Sequence, residues 1–260
     1  MNSLVLLALL VAQTSTEPDR ITIPFKDPNR PGTVEVRLFQ GDVTVTPYSG
    51  REVVVTAKSR RRRISSTTDT QGLRRLTGGR FAVTEENNVV SVRGGSLERV
   101  EVDVQVPAAT NLKIQSELGG KLNVTGIEGD IEVTNLNGAV TLTDVSGSVV
   151  THSTNGKVFV TMKNVTPQKP MAFTSVNGNV DVTLPADTKA NLKLRTTNGD
   201  IYTDFDVQIA TPQIRRLDSA PRGPHSLIDF ERAITGTING GGPDFELRTV
   251  NGNLVIRSAK

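Results

Sequence analysis

The chain is predicted to be all-β, wound as a β-solenoid of the parallel β-helix type from short glycine-punctuated repeats. Glycine recurs at Gly120, Gly129, Gly138, Gly147 and Gly156 with an unbroken nine-residue interval, and the pattern returns at Gly178, Gly199 and Gly252. A fixed short period implies one structural unit stacked many times. Apolar residues also alternate with polar ones after each glycine. Leu122, Ile131, Val140, Val149, Val158 and Val180 stand two residues after it, and Val124, Val133, Leu142, Val160 and Val182 stand four after it. Period two belongs to a strand buried on one face. Composition agrees: tryptophan is absent and tyrosine occurs 2 times in 260 residues, which suits a narrow interior of Val, Ile, Leu and Thr.

Residues two before the glycine, such as Leu118, Ile127, Leu136 and Val145, are expected to point inward as well. Nine is odd, so the inward parity must reset once per unit. A turn or bulge does this, with the glycine expected to supply a permissive φ. Asn-Gly pairs at 137–138, 155–156, 177–178, 198–199, 239–240 and 251–252 mark turns. Asn-Gly is also a hairpin signal, so an antiparallel meander satisfies the same pattern. In-register stacking of like residues, and the long unpaired edges a meander would leave, favour the solenoid. Each coil would hold two or three units, with coils about 4.8 Å apart.

Along the chain, residues 4–12 are apolar and precede Gln13-Thr14-Ser15-Thr16. This reads as a secretory signal over residues 1–16, too short to span a bilayer; a buried first strand is the competing reading. No transmembrane segment is expected. Residues 17–106 form an N-terminal β region or cap, with strands over 33–58 turning at Gly41-Asp42 and Ser49-Gly50. A mobile basic loop follows at 59–79, and strands return over 81–106. Residues 107–260 form the solenoid, with a polar insertion at 206–234 that holds Pro212, Pro221, Pro224, Arg215 and Arg216. Gly240-Gly241-Gly242-Pro243 then leads into two last strands.

The stretches Thr174-Ser175-Val176-Asn177-Gly178-Asn179-Val180, Leu194-Arg195-Thr196-Thr197-Asn198-Gly199-Asp200-Ile201 and Leu247-Arg248-Thr249-Val250-Asn251-Gly252-Asn253-Leu254 carry a resemblance. The chain resembles the DUF4097 family, adhesin-like β-strand-repeat domains of bacterial exported proteins. The resemblance runs over about residues 100–260 and more faintly over the strands before. It implies an exported or surface β-repeat protein and brings no catalytic motif.

Chemistry is sparse. Cysteine is absent, which excludes disulfides, thiol catalysis and zinc–thiolate sites. His152 and His225 have no partners at metal-site or triad spacing, and His152 is expected at a turn. No Gly-x-Ser-x-Gly elbow or phosphate-binding glycine loop occurs. Asp130 and Glu132 lie on one strand face at a separation of about 7 Å that could serve a glycosidase. The neighbouring nine-residue units place no further carboxylate beside them. No catalytic residue, metal site or cofactor is therefore expected.

The formal charge of +3 is mild, and Arg60, Arg61, Arg62 and Arg63 form its densest cluster. They are a candidate patch for an anionic partner or simply a solvated loop; nucleic acid is not expected, because no aromatic residues interleave with them. The expected role is an exported, non-catalytic adhesin-like or cell-envelope interaction module, binding glycan or protein on polar strand faces in the periplasm or at the surface. A second reading is a self-associating envelope scaffold, with end-to-end homo-oligomers stacking on an uncapped last strand near Ser258. A β-helix carbohydrate-active enzyme is a third.

Overall fold

The computed structural model describes residues 19–59, 81–94, 99–210 and 232–259. The predicted signal, Arg60 to Arg63, most of the basic loop and the body of the 206–234 insertion lie outside the described residues. Among the described residues there is no helix.

The strands in chain order are β1 (Asp19–Pro24), β2 (Thr33–Leu38), β3 (Gly41–Pro47), β4 (Glu52–Ser59), β5 (Ala82–Glu86), β6 (Val89–Arg93) and β7 (Val100–Val106). Next come β8 (Asn111–Ser116), β9 (Leu122–Thr125), β10 (Ile131–Asn137), β11 (Val140–Gly147), β12 (Val149–Asn155), β13 (Val158–Val165) and β14 (Met171–Asn177). The chain continues through β15 (Val180–Leu184), β16 (Ala190–Asn198), β17 (Ile201–Thr203), β18 (Gln208–Ile209), β19 (Arg232–Ile238), β20 (Asp244–Asn251) and β21 (Leu254–Ser258).

From β7 to β18 successive strands alternate between two sheets. Sheet A has the order β1-β4-β7-β3-β9-β11-β13-β15-β21-β17, and sheet B the order β18-β19-β16-β20-β14-β12-β10-β8-β2-β6-β5. Central neighbours pair parallel: Ile131 sits beside Val149, and Val140 beside Val158. The protein is therefore a solenoid with two nine-residue units per coil, one in each sheet. Antiparallel strands close the stack, with β4 on β7 and β5 on β6 at one end and β19 on β16 at the other.

Neither the first nor the last parallel coil stands at an end. The β2–β3 coil lies between β8–β9 and β6–β7. The β20–β21 coil lies between β14–β15 and β16–β17. The expectation of an uncapped last strand is thus corrected: β21 pairs with β15 on one side and β17 on the other, and no free edge exists there for a second copy to extend. At that end of the stack the edge strands are β17 and β18, of 3 and 2 residues, short enough to limit edge pairing.

The core is a column of inward Val, Ile and Leu from both sheets, including Leu122, Ile131, Val133, Val140, Leu142, Val158, Val180 and Leu254, all at most 2% exposed. Each such side chain contributes about 1.5–3 kcal/mol by leaving water. Phe173 and Phe245 are among the largest fully buried side chains of the same column.

The inward register needs one correction. Ile127 and Val145 are buried as expected, but Leu118 and Leu136 are 45% and 39% exposed. Alternation runs unbroken through β10, so Asn135 takes the inward place and Leu136 the outward one. In β11 a bulge shifts the register between Leu142 and Val145, with Asp144 at φ 53°. The bulge turns Val145 inward. Parity therefore resets at two kinds of place, the Asn-Gly corner and the β11 bulge, and only the first is marked by Asn-Gly.

The glycines also act differently from the expectation. Of the eight repeat glycines, Gly138 and Gly147 have positive φ, 124° and 96°. At the others the cause is close approach. A Cβ on Gly156 would lie 1.9 Å from the Gly138 carbonyl oxygen, and one on Gly178 would lie 2.2 Å from that of Gly156. Glycines of successive coils stack face to carbonyl, which leaves no room for any side chain.

Candidate functional site

The Asn-Gly corners form one continuous edge of the solenoid. The Asn155 side-chain amide donates to Asn137 Oδ1 at 2.8 Å, and that of Asn177 to Asn155 Oδ1 at 2.7 Å. Asn251 donates to Asn177 at 2.6 Å, and Asn198 to Asn251 at 2.8 Å. Beneath this ladder runs a buried polar column. The hydroxyls of Ser175, Thr249 and Thr196 donate to the carbonyls of Gly156, Gly178 and Gly252 at 2.8–2.9 Å. Asn135 donates to both the Gly120 and Gly138 carbonyls, at 3.0 and 2.9 Å. It thereby occupies the oxygen that Ser153 would use by analogy, and the Ser153 hydroxyl is left without a partner. This edge is structural: its asparagine amides bond to one another, and Ser175, Thr249 and Thr196 bond to backbone carbonyls inside it.

What remains for a ligand is the two outer faces. On sheet A, Asp42 accepts from the Lys121 backbone N–H at 2.8 Å and from Arg99 at 2.9 Å. Burial works to raise the Asp42 pKa, but those donors and the nearby charges outweigh it and hold the carboxyl below its ordinary value. Further along, Arg257 makes two hydrogen bonds to Asp181, both at 3.1 Å, which raises its pKa. Phe159 and Tyr202 are 40% and 51% exposed on this face.

On sheet B, Lys113 pairs with Glu132 at 3.1 Å and Lys193 with Asp244 at 2.5 Å, and in the turns ahead of β14 and β10 Lys169 pairs with Asp130 at 2.7 Å. The Lys193 hydrogen bond lowers the Asp244 pKa, with a smaller effect from Asn191, and the Lys193 pKa rises in return. Asp130 and Glu132, the residues tested for glycosidase chemistry, each hold a lysine. Their side chains are 48% and 51% exposed, without the enclosure of a glycosidase site. Their neighbours lie two units away rather than one: Glu132 sits beside Lys113 and Val150.

His152 is corrected from a turn to the middle of β12, on the outer face, with Nδ1 2.8 Å from the Thr174 hydroxyl. Among the described residues no group of His, Asp and Glu could hold a metal ion. A cleft of about 290 Å³ beside β1 is lined by Phe25, Arg30, Arg51, Pro107 and Thr110, with no histidine or carboxylate among its lining residues.

Sequence reading missed which outward residues become neighbours. The signal was present in the 18-residue step from Asn137 to Asn155, because every second unit shares a sheet.

No protein with a curated description matches the chain. The fold is similar to the crystal structure of a candidate cell adhesion protein from Clostridium sporogenes, at 10% identity and a TM-score of 0.44, covering 94% of this chain and 100% of that one. It is also similar to a candidate adhesin from Bacteroides fragilis, at 11% identity and a TM-score of 0.38, covering 94% and 98%. The family profile described as Toastrack DUF4097 matches residues 20–217, taking in the N-terminal coils where the resemblance was faint, and the chain belongs to the DUF4097 family.

Proposed function

We propose that this protein is an exported, non-catalytic adhesin-like module of the cell envelope that binds glycan or protein along its outer strand faces. One observation carries the reading. The asparagine ladder of the corner edge is bonded within itself, whereas both sheet faces present regular rows of Thr, Asn, Lys, Arg and carboxylates to solvent at a constant strand spacing. Such a surface suits a long partner held by many weak contacts better than a small substrate in a pocket. Membership of the DUF4097 family and the apolar run at residues 4–12 support export.

The carbohydrate-active enzyme reading loses its basis in the lysine-paired carboxylates, and the scaffold reading loses the free last strand on which it rested. The test is a glycan array together with pull-down from solubilised bacterial envelopes. Retention of glycan or envelope protein above background is expected; background-level binding in both would overturn the proposal.

A further inference from the structure

The outer face of sheet B carries a row with an arginine pair at each end and His152 between them, which the nine-residue alignment does not show. Arg93 lies beside Arg37, Arg37 beside Gln115, and Gln115 beside Thr134. Thr134 lies beside His152, His152 beside Thr174, Thr174 beside Arg248, and Arg248 beside Arg195. The line crosses eight strands, about 34 Å at the usual strand spacing, and contains no carboxylate. Its arginines and His152 are exposed. Two of its steps set arginine directly opposite arginine, which concentrates guanidinium groups at both ends of the line.

The two flanks define the partner. On one side runs a mixed row containing Glu35, Glu132 and Glu246, of which Glu35 and Glu132 already hold Arg37 and Lys113 at 3.4 and 3.1 Å. A flat anionic membrane would meet those glutamates together with the arginines. A single extended chain on the line would meet Glu35 at Arg37 and could pass beside the other glutamates. On the other side, next to the asparagine ladder, Leu136 is 39% exposed and Val176 and Val250 are half-buried. With Thr154 between Leu136 and Val176, they form a row of apolar side chains and one threonine parallel to the arginines. No aromatic side chain lies in the cationic line, so nothing there would stack nucleic-acid bases.

We infer that the outer face of sheet B binds an extended acidic polysaccharide lying along the solenoid axis, with its anionic groups on Arg195, Arg248, His152, Arg37 and Arg93 and the C–H faces of its sugar rings on Leu136, Val176 and Val250. The strand spacing is close to the rise of one sugar in an extended chain, so successive sugars meet successive strands. The inference rests on the proposed function and names the class of glycan and the face.

The test uses the full chain in titrations with polygalacturonate, its methyl ester, phosphatidylglycerol vesicles and a single-stranded oligonucleotide. Polygalacturonate is expected to bind in a salt-sensitive manner, and the doubly substituted R195A/R248A chain to bind roughly tenfold more weakly. Glu246→Gln, which removes a carboxylate beside the line, is expected to tighten binding about two- to threefold; a gain of this kind cannot come from misfolding. Lys163→Ala on β13 of the opposite sheet should change nothing.

Equal binding of the methyl ester, wild-type affinity in R195A/R248A, or arginine-dependent binding of vesicles or oligonucleotide would overturn the inference. So would the absence of polygalacturonate binding. If polygalacturonate fails while envelope material is still retained, the acidic-glycan assignment falls and the adhesin-like reading stands. If both fail, both fall.

Discussion

The side-chain amide of Asn251 donates to Asn177 Oδ1 at 2.6 Å across 74 residues of sequence. That bond records the insertion of the last coil between two earlier ones. Asn177 is held from both sides, since its own amide donates to Asn155, whereas Asn198 ends the ladder. Replacing Asn177 by Ala removes two hydrogen bonds and should cost about 1–2 kcal/mol. Replacing Asn198 removes one and should cost about half as much. Urea unfolding of the two variants checks the order.

The inserted coil makes a stronger prediction. Deleting residues 244–260 takes out β20 and β21, leaving β14–β15 and β16–β17 without the neighbours that join them. The remaining stack should lose cooperative unfolding. A coil at the end of a solenoid could be removed with loss of little more than its own contacts, so a truncated chain with a sharp, near-native transition would contradict the observed strand order.

Glycine substitutions separate close approach from backbone conformation. Gly156→Ala would place a Cβ 1.9 Å from the Gly138 carbonyl oxygen and should cost about 3 kcal/mol by forcing the coils apart. Gly240, at φ 85° with nothing within 4 Å of a Cβ, should cost only about 1 kcal/mol on the same change, from the left-handed conformation alone. Thermal unfolding of both variants reads the difference.

The buried polar column predicts two changes of opposite character. Thr249→Val removes the donor to the Gly178 carbonyl and should destabilise by about 1–2 kcal/mol. Ser153→Ala removes a buried hydroxyl that has no partner and should be neutral or stabilising. Chemical denaturation distinguishes them.

Asp42 gives a pH dependence whose sign follows from its lowered pKa. A carboxyl with a depressed folded-state pKa stabilises above its unfolded value, and the contribution is lost as pH falls through the folded one. Asp42→Asn should therefore be less stable than wild type at neutral pH by about 1 kcal/mol. The gap should close as pH falls below the ordinary value of 3.8.

Much of the fold was legible because strand alternation and Asn-Gly corners are local. Leu122, Ile131 and Val140 could be placed inward from period two alone. Coil order was not legible, since each Asn-Gly unit presents nearly the same stacking surface and nothing local tells Asn251 to choose Asn177. The β11 bulge was hidden for a different reason: Asp144 takes a positive φ without the glycine that would announce it. The cationic line on sheet B was missed because Arg195, Arg248 and Arg37 are far apart in sequence and meet only through coil order.

The most direct test of the interaction role is light scattering of the full chain over a concentration series, with bacterial envelope polysaccharide added to parallel samples. The account predicts a constant mass for the protein alone and a gain in mass only when envelope material is present. Growth of mass with protein concentration alone, unchanged by polysaccharide, would contradict it.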